Sequence, residues 1–274
     1  MDKLQRNERI GLLIKYLTDS PGKIFTLGSF TEMLGSAKST ICEDIGAIEE
    51  LFKKYDLGII ETISGASGGI KYIPAISSER AAGIIDDLCI DMSRPERIVS
   101  GGFLYMLDVI YNPEKVDKIG RIFTSRFYKK DVDYVITVET KGIPLAFVTA
   151  KYLKVPLVIV RHYNEATDGT SFNINYVSGS SKRIQTMVLS LKALKRNSRL
   201  LFIDDFMKGG GTAKGIIELA KEFECEVAGI GVFIKTAEPA KKLVDGCFSI
   251  LTLESVDEES NTIIVRPGED KEQA

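Results

Sequence analysis

Histidine is nearly absent from this 274-residue chain, in which His162 is the only one. A catalytic triad that needs histidine, or a metal site built on histidines, is therefore almost excluded. The four cysteines stand far apart in the sequence and give no zinc-ligand spacing, so we expect no metal site. We interpret them as reduced, mostly buried thiols, which are typical of a cytoplasmic protein.

Long apolar runs are missing as well. No stretch approaches the roughly 20 residues that a membrane-spanning helix needs. The N-terminal residues are not followed by the apolar segment of a signal peptide. We expect a cytoplasmic protein with no membrane partner. The length, the 44% hydrophobic residues and the 27% charged residues suit a globular chain with one small and one large domain.

The chain also lacks an excess of positive charge. Its formal net charge is −2, and residues 1–74 hold nine Lys or Arg against ten Asp or Glu. Bulk attraction to nucleic acid is therefore not available to this chain. Any contact with DNA must depend on the local placement of charges.

The first predicted domain, residues 1–74, follows the order helix, helix, tight turn, helix, hairpin. Apolar residues recur at helical spacing in the first and third helices, and a short second helix carries Phe30, Met33 and Leu34. Ser29 and Glu32 stand at capping-box spacing at the start of this second helix. Two β-prone runs, residues 58–63 and 70–73, flank a glycine- and serine-rich turn. This order resembles a winged helix-turn-helix.

In such a domain the third helix enters the major groove by its N-terminal end, and the hairpin is the wing. Short and cationic side chains at these points suit phosphates and base edges. The predicted DNA-binding residues are Lys3, Arg6, Arg9, Ser36, Lys38, Ser39, Thr40, Gly68 and Lys71. A small helical dimerisation domain is the alternative, and residues 1–74 alone do not decide between the two.

In the second predicted domain, residues 75–274, strands alternate with helices. Strands at 133–138 and 156–160 flank a helix at 143–153, and the same alternation returns after residue 200. This alternation predicts an α/β fold, with a parallel sheet flanked by helices.

The strongest motif begins with a strand at residues 200–203, continues with Asp204 and Asp205, and passes through glycines into a helix near Thr212. Open α/β sheets bind ligands at the carboxyl ends of their strands. Glycine amides and a helix N-terminus favour a phosphate there. Two carboxylates beside a phosphate make sense if the ligand also offers hydroxyls. The motif therefore predicts a 5′-phosphorylated ribose.

This string resembles the phosphoribosyl pyrophosphate signature of type I phosphoribosyltransferases. The resemblance implies that Asp204 and Asp205 hold the ribose hydroxyls and that residues 208–212 cradle the 5′-phosphate. Residues 137–142 resemble the pyrophosphate loop of that family, and Arg161 stands where the family has a basic residue facing pyrophosphate. The implied ligand-binding residues are Thr140, Lys141, Gly142, Arg161, Asp204, Asp205, Phe206, Met207, Lys208, Gly209, Gly210, Gly211 and Thr212.

The match weakens where the chemistry of transfer is concerned. Purine-type transferases are known for an acid at the position of Lys208, and a lysine ammonium has no acceptor for a proton. We expect retained binding without catalysis, no catalytic residue and no required cofactor. The alternative is an active purine phosphoribosyltransferase with an accessory N-terminal domain.

A closer resemblance covers nearly the whole chain. Residues 36–41, 68–74, 175–181 and 203–208 are similar to the purine operon repressors of Gram-positive bacteria. This resemblance implies a homodimer that binds a double-stranded DNA operator near purine biosynthesis genes. It also implies phosphoribosyl pyrophosphate as the effector that releases DNA, and guanosine tetraphosphate as a second ligand of the same pocket.

Overall fold

A computed structural model describes residues 4–65, 68–164, 169–177 and 184–268. The N-terminal elements are α1 (Arg6–Asp19), β1 (Ile24–Phe25), α2 (Leu27–Leu34), α3 (Lys38–Tyr55), β2 (Ile59–Ile63) and β3 (Gly69–Ile73). The strands form an antiparallel sheet in the order β1-β3-β2. Three helices followed by a two-stranded wing confirm the predicted winged helix-turn-helix.

The apolar faces of the three helices meet in one core. Leu13, Phe30 and Ile41 are fully buried there. The cap of the second helix is Thr26 and not Ser29, as the capping-box spacing had suggested. The Thr26 side chain accepts a hydrogen bond from the Ser29 amide at 3.1 Å, and the helix begins at Leu27.

An ion pair lies inside this domain. Arg9 is only 8% exposed, and its Nε donates to Asp44 Oδ2 at 2.7 Å. Its Nη1 also donates to the carbonyl of Leu4 at 3.0 Å. We therefore withdraw Arg9 from the predicted DNA-binding residues, because its guanidinium faces the domain interior and neutralises a buried carboxylate.

The second part of the chain contains a sheet of six strands. Its elements are α4 (Ser78–Met92), a 3₁₀ turn (Pro95–Arg97), β4 (Ile98–Val99), β5 (Phe103–Leu104), α5 (Leu107–Ile110), α6 (Pro113–Phe127), β6 (Tyr134–Val138), α7 (Ile143–Leu153), β7 (Leu157–Val160), β8 (Ser171–Val177), β9 (Ile184–Ser190), β10 (Arg199–Met207), α8 (Gly211–Glu222), β11 (Glu226–Thr236), β12 (Cys247–Asp257) and β13 (Thr262–Pro267). The sheet order is β13-β12-β11-β10-β6-β7. Only the β12–β13 pair is antiparallel among these described strands.

Apolar side chains cover both faces of the sheet. One core includes Ile119 and Phe123 of α6 and Leu145 of α7. The other includes Ile216 of α8 and Met187 of the β8–β9 hairpin. A largely parallel sheet between two apolar layers confirms the predicted α/β class. Among the described residues, none of the helices is long and apolar enough to cross a membrane.

The strand order determines where a ligand site can form. From β6 the chain crosses outward to β7, and it then returns to the opposite side of β6 as β10. The loops that follow β6 and β10 therefore diverge and leave a crevice at the carboxyl ends of these two strands. Such a reversal of strand order is where open α/β sheets hold their ligands.

The two domains meet at the far end of α7. Gly22 has a φ of +73°, and a Cβ added there would lie 2.5 Å from the Cβ of Lys154, directly after α7. The Gly22 amide also donates to the carbonyl of Tyr72 in the wing at 2.8 Å. We call this contact between Gly22, Tyr72 and Lys154 the joint. It connects the wing directly to the helix that begins beside the crevice.

The buried ion pair predicts a structural role for Arg9. Replacement of Arg9 by Met should lower the free energy of unfolding by about 3 kcal/mol, because Asp44 then stays buried without its main partner. Arg6→Met is the matched control, since Arg6 approaches the same carboxylate at 3.3 Å but is 66% exposed. Urea denaturation followed by circular dichroism measures both. Equal stabilities of the two variants would contradict this role.

Candidate functional site

A cavity of about 430 Å³ lies at the reversal of strand order. It is lined by Thr140 and Lys141 after β6, and by residues 204–212 at the end of β10 and the start of α8. The fold thus brings together most of the ligand-binding residues predicted from two distant parts of the sequence. Gly142 and Arg161 are not among the described residues that line it.

The two adjacent carboxylates stand at the floor of this cavity. The acids were predicted to follow a strand that ends at residue 203. β10 instead continues to Met207 by pairing with β11, so that Asp204 and Asp205 lie within the strand. Asp204 is 8% exposed, and its Oδ1 accepts the Asp205 amide hydrogen bond at 3.0 Å. The pair is therefore fixed by the backbone of the strand that carries it.

Burial sets the electrostatics of the pair. It raises the pKa of the Asp204 carboxyl well above its ordinary value, and the charge of Asp205 raises it further. Burial also raises the pKa of Asp205, against the opposing effects of its hydrogen bond with Asp204 and the Lys141 charge. Ionised together, these groups need hydrogen-bond donors, which the hydroxyls of a sugar can supply.

Gly142 has a packing role beside the acid pair. A Cβ at this position would lie 2.5 Å from Thr137 Oγ1 and 2.7 Å from Asp204 Oδ1. Only glycine therefore lets the loop after β6 approach β10 this closely. Gly142 supports the floor of the cavity and N-caps α7, although it does not line the cavity itself.

The opposite wall is built for an anion. Gly210 has a φ of +83° and N-caps α8, a left-handed conformation that glycine adopts without strain. Gly211, Thr212 and Ala213 form the first turn of α8, and all three residues line the cavity. Unpaired amides and the positive end of the helix dipole favour a phosphate at this point.

The residues that follow β7 join the cavity to the β8–β9 hairpin. Arg161, predicted to face pyrophosphate, pairs through its backbone with Val188 at 3.1 and 2.8 Å. Its neighbour His162 lines the cavity. The His162 amide donates to Glu139 Oε1 at 2.7 Å, and its Nδ1 lies 2.9 Å from the carbonyl of Thr186. These bonds tie the loops after β6 and β7 to the β8–β9 hairpin.

Two further residues line the cavity that the sequence did not single out as ligands. Tyr176 and Gln185 lie opposite each other in the β8–β9 hairpin. Both lie outside the two motifs, residues 137–142 and 200–212, and only the packing of the hairpin on α8 brings them there. The sequence offered one signal, the resemblance of residues 175–181 to the purine operon repressors. The turn between β8 and β9, residues 178–183, lies outside the described residues.

The predicted DNA-binding residues lie mostly at the start of α3 and on the wing. Lys38 and Ser39 are exposed in the first turn of α3, whereas Ser36 and Thr40 are half-buried. Within the described chain, no side chain caps this helix, whose N-cap residue is Ala37. The first amides of α3 are therefore open to an anion, and exposed donors surround them.

The remaining members of the predicted set are spread around this face. Arg6 is largely exposed, at 66% of its side chain. Lys71 pairs with Glu61 of β2 at 2.9 Å, so its charge is partly neutralised. Gly68 closes the wing turn, where its amide donates to the carbonyl of Gly65 at 3.0 Å. Lys3 and residues 66–67 at the tip of the wing lie outside the described part of the chain.

Comparison with known proteins assigns a family to each domain. The model of the bacterial purine repressor N-terminal domain matches residues 5–74. The model of the phosphoribosyl transferase domain matches residues 107–272. The two matches follow the same order as the two structural parts.

Relatives match this chain over nearly all of its length. The chain is 43% identical to the purine biosynthesis transcriptional repressor PurR of Bacillus subtilis (strain 168), over 97% of this chain and 93% of that protein. It is 36% identical to the purine biosynthesis transcriptional activator PurR of Lactococcus lactis subsp. lactis, over 97% and 98%. An adenine phosphoribosyltransferase structure from Thermoanaerobacter pseudethanolicus matches with a TM-score of 0.51 and 17% identity, covering 61% of this chain and 96% of that one. This last match concerns the fold of the second domain.

The buried acid pair predicts a stability cost in the ligand-free protein. Because the pKa of Asp204 is raised in the folded protein, the protonated carboxyl favours the folded state. This contribution to stability is fully present below the pKa of the unfolded chain, about 4. That contribution is lost as the pH rises through the higher folded pKa. Asp204→Asn should therefore raise the melting temperature by about 2–4 °C at neutral pH, while still accepting the Asp205 amide hydrogen bond.

Thermal unfolding of both proteins from pH 4 to pH 8 measures this effect. The difference between wild type and Asp204→Asn should vanish at the acidic end and grow with pH. Asp131→Asn is the control, since Asp131 is exposed. A constant difference across the pH range would show that burial of charge is not its cause.

Proposed function

The chain belongs to the bacterial purine repressor family, and from this premise we propose that it is a DNA-binding repressor of purine biosynthesis genes controlled by phosphoribosyl pyrophosphate. The effector occupies the cavity between β6 and β10 and releases the protein from its operator. The 43% identical relative from Bacillus subtilis is named a repressor, and this supports the negative sign of regulation. The name of the Lactococcus lactis relative makes activation the opposite possibility.

One observation carries the choice of effector. A single cavity offers two carboxylates for sugar hydroxyls and an open helix N-terminus for a phosphate. The loop of Thr140 and Lys141 stands across from them and suits the pyrophosphate. Guanosine tetraphosphate, which also combines pyrophosphate groups with a ribose, is proposed as a second ligand of the same cavity.

The same cavity supports binding without turnover. Lys208 lies exposed at the point where the purine-type transferases carry an acid. Its ammonium group has no acceptor for the proton of a purine ring nitrogen. We therefore expect no nucleotide synthesis from phosphoribosyl pyrophosphate with adenine, guanine, hypoxanthine or xanthine. An active purine phosphoribosyltransferase remains the competing function, and turnover at about 1 per second or more in that assay would favour it.

DNA binding is assigned to the open end of α3 and to the wing. The domain has no excess of positive charge, so a few local contacts must supply specificity. We also propose that the protein acts as a homodimer, which lets two recognition helices read two half-sites. Large exposed apolar side chains such as Ile90 (67%) and Phe103 (68%) support an association surface.

Helix α7 offers a route from effector to DNA. It starts at Ile143, immediately after the loop proposed for pyrophosphate, and its 11 residues span about 16 Å. It ends at the joint, where Gly22 and Lys154 touch. A shift of the loop on ligand binding moves the helix, and the joint passes this movement to the wing. A ligand changes DNA affinity only if it favours one of two such arrangements.

The acid pair tests the proposed effector site. Asp204→Ala combined with Asp205→Ala should leave operator binding intact. The affinity for phosphoribosyl pyrophosphate should fall by a hundredfold or more, because two charged hydrogen-bond acceptors are lost. Fluorescence anisotropy of labelled promoter DNA, titrated with the effector, measures the release. The salt dependence of DNA binding is the control for the two charges removed, since a purely electrostatic gain steepens it. Release at the wild-type effector concentration would rule out this pair as the switch.

The start of α3 tests the proposed DNA contacts. Lys38→Ala, and Ser39→Ala with Thr40→Ala, should each weaken specific operator binding about tenfold or more and leave the fold intact. Lys53→Ala is the matched control, because it removes the same charge from the opposite end of the same helix. Unchanged affinity of the first two variants in a titration at fixed salt would mean that another element reads the DNA.

The joint tests the proposed route. Gly22→Ala adds a methyl group 2.5 Å from Lys154 Cβ. It should reduce the ratio of operator affinities without and with effector towards one, while each ligand alone still binds. Gly35→Ala is the matched control, since Gly35 also has a positive φ but no described atom lies within 4 Å of an added Cβ. A full effector response in Gly22→Ala, equal to that of Gly35→Ala, would exclude this route.

A further inference from the structure

The β8–β9 hairpin forms one wall of the cavity. Tyr176 of β8 is 7% exposed, although it belongs to a hairpin outside the main sheet. It lines the cavity together with Gln185 of β9 and with Gly211 and Thr212 of α8. A buried tyrosine with its polar end beside a phosphate cradle is the feature from which the inference starts.

Close packing fixes the ring of Tyr176 against α8. A Cβ added to Gly215 would lie 3.1 Å from Tyr176 Cγ and 3.1 Å from Met187 Sδ. The glycine therefore lets the hairpin lie directly on the first turns of α8. The hydroxyl of Tyr176 is held at a fixed place and not on a mobile side chain.

The hydroxyl is surrounded by groups of the cavity. It donates to Gln185 Oε1 at 2.7 Å. Burial raises the pKa of Tyr176, a hydrogen bond with the Thr212 side chain opposes this, and the charge of Asp204 adds to it. The phenol therefore stays protonated, and Tyr176 lines the same cavity as Thr212 and Asp204. Rotation of the Gln185 amide by 180° would present its NH₂ group to Tyr176 and free the phenolic hydrogen.

We propose that Tyr176 and Gln185 are ligand-binding residues that donate hydrogen bonds to the phosphomonoester held at the start of α8. This inference rests on the proposed function, because it takes the ligand to be a sugar carrying a 5′-phosphate. Both donors are neutral, so they add direction and specificity to the site without adding charge. They contact the 5′-phosphate end, and the loop of Thr140 and Lys141 contacts the pyrophosphate end.

A structural role for the same residues makes a different prediction. Tyr176 and Gln185 are directly opposite in the β8–β9 register, so their hydrogen bond could serve the hairpin alone. In that case, loss of the hydroxyl would alter stability and would not discriminate between ligands. A ligand with the 5′-phosphate and a ligand without it therefore separate the two roles.

The test is isothermal titration calorimetry of the full chain with phosphoribosyl pyrophosphate and with inorganic pyrophosphate. Tyr176→Phe and Gln185→Leu should each bind phosphoribosyl pyrophosphate about tenfold more weakly or worse, because a hydrogen bond to a charged oxygen is lost. Both should bind inorganic pyrophosphate as the wild type does. Tyr111→Phe is the control, since Tyr111 is 55% exposed and is not among the described residues that line the cavity.

A second variant tests the geometry without removing either donor. Gly215→Ala should push the hairpin away from α8. It should lower the affinity for phosphoribosyl pyrophosphate and leave the affinity for inorganic pyrophosphate unchanged. Wild-type affinity for phosphoribosyl pyrophosphate in both Tyr176→Phe and Gln185→Leu would overturn the inference, as would an equal loss for the two ligands. Failure of the wild-type protein itself to bind phosphoribosyl pyrophosphate would instead remove the proposed function, and the inference with it.

Discussion

The burial of two adjacent carboxylates on the central strand is the constraint on which the rest of the site depends. Asp204 and Asp205 lie in β10 between β6 and β11, where desolvation disfavours their charged forms. The cost is tolerable because the fold places an open helix N-terminus and Lys141 nearby, and because a ligand can supply further donors. The site thus suits a molecule that combines hydroxyls with phosphates. Gly142 lets the loop after β6 approach Asp204 closely, and Gly210 supplies the left-handed conformation that begins α8.

Each domain has only a few charged side chains at its proposed binding site. The N-terminal domain carries no net positive charge and therefore has no broad basic surface. Arg9 pairs with the buried Asp44 inside the domain, so its charge is not available to DNA. Helix α3 begins without a side-chain cap, and the short donors and the exposed Lys38 of its first turn are proposed to contact DNA. In the second domain the cavity relies on backbone amides more than on cations. Both proposed sites therefore depend on a few directional contacts.

Much of this arrangement could be predicted from the sequence, because local signals carried it. The helix at residues 143–153 agrees with the structure at both ends, since a glycine stands before it and hydrophobic periodicity runs through it. The winged-helix order and the α/β class likewise followed from periodicity and turn residues. The motif of acids and glycines is contiguous, so its grouping in one cavity required no knowledge of the fold.

Three of the features that escaped prediction depend on partners that are distant in the sequence. Arg9 was expected on the DNA face, but its partner Asp44 lies 35 residues away. β10 extends through the acid pair because β11, a separate strand, supplies the pairing. Tyr176 reaches the cavity only because Gly215 lets a hairpin lie on α8. In each case the deciding contact joins segments whose proximity is a property of the fold and not of the local sequence.

Phosphoribosyl pyrophosphate and operator DNA are proposed to oppose each other's binding through two distinct sites on one protein. Calorimetric titration of phosphoribosyl pyrophosphate into the free protein, and into the protein saturated with operator DNA, tests it most directly. Linkage requires the DNA complex to bind the effector more weakly, by the same factor by which the effector weakens DNA binding. An effector affinity that is identical in the two titrations would contradict the account.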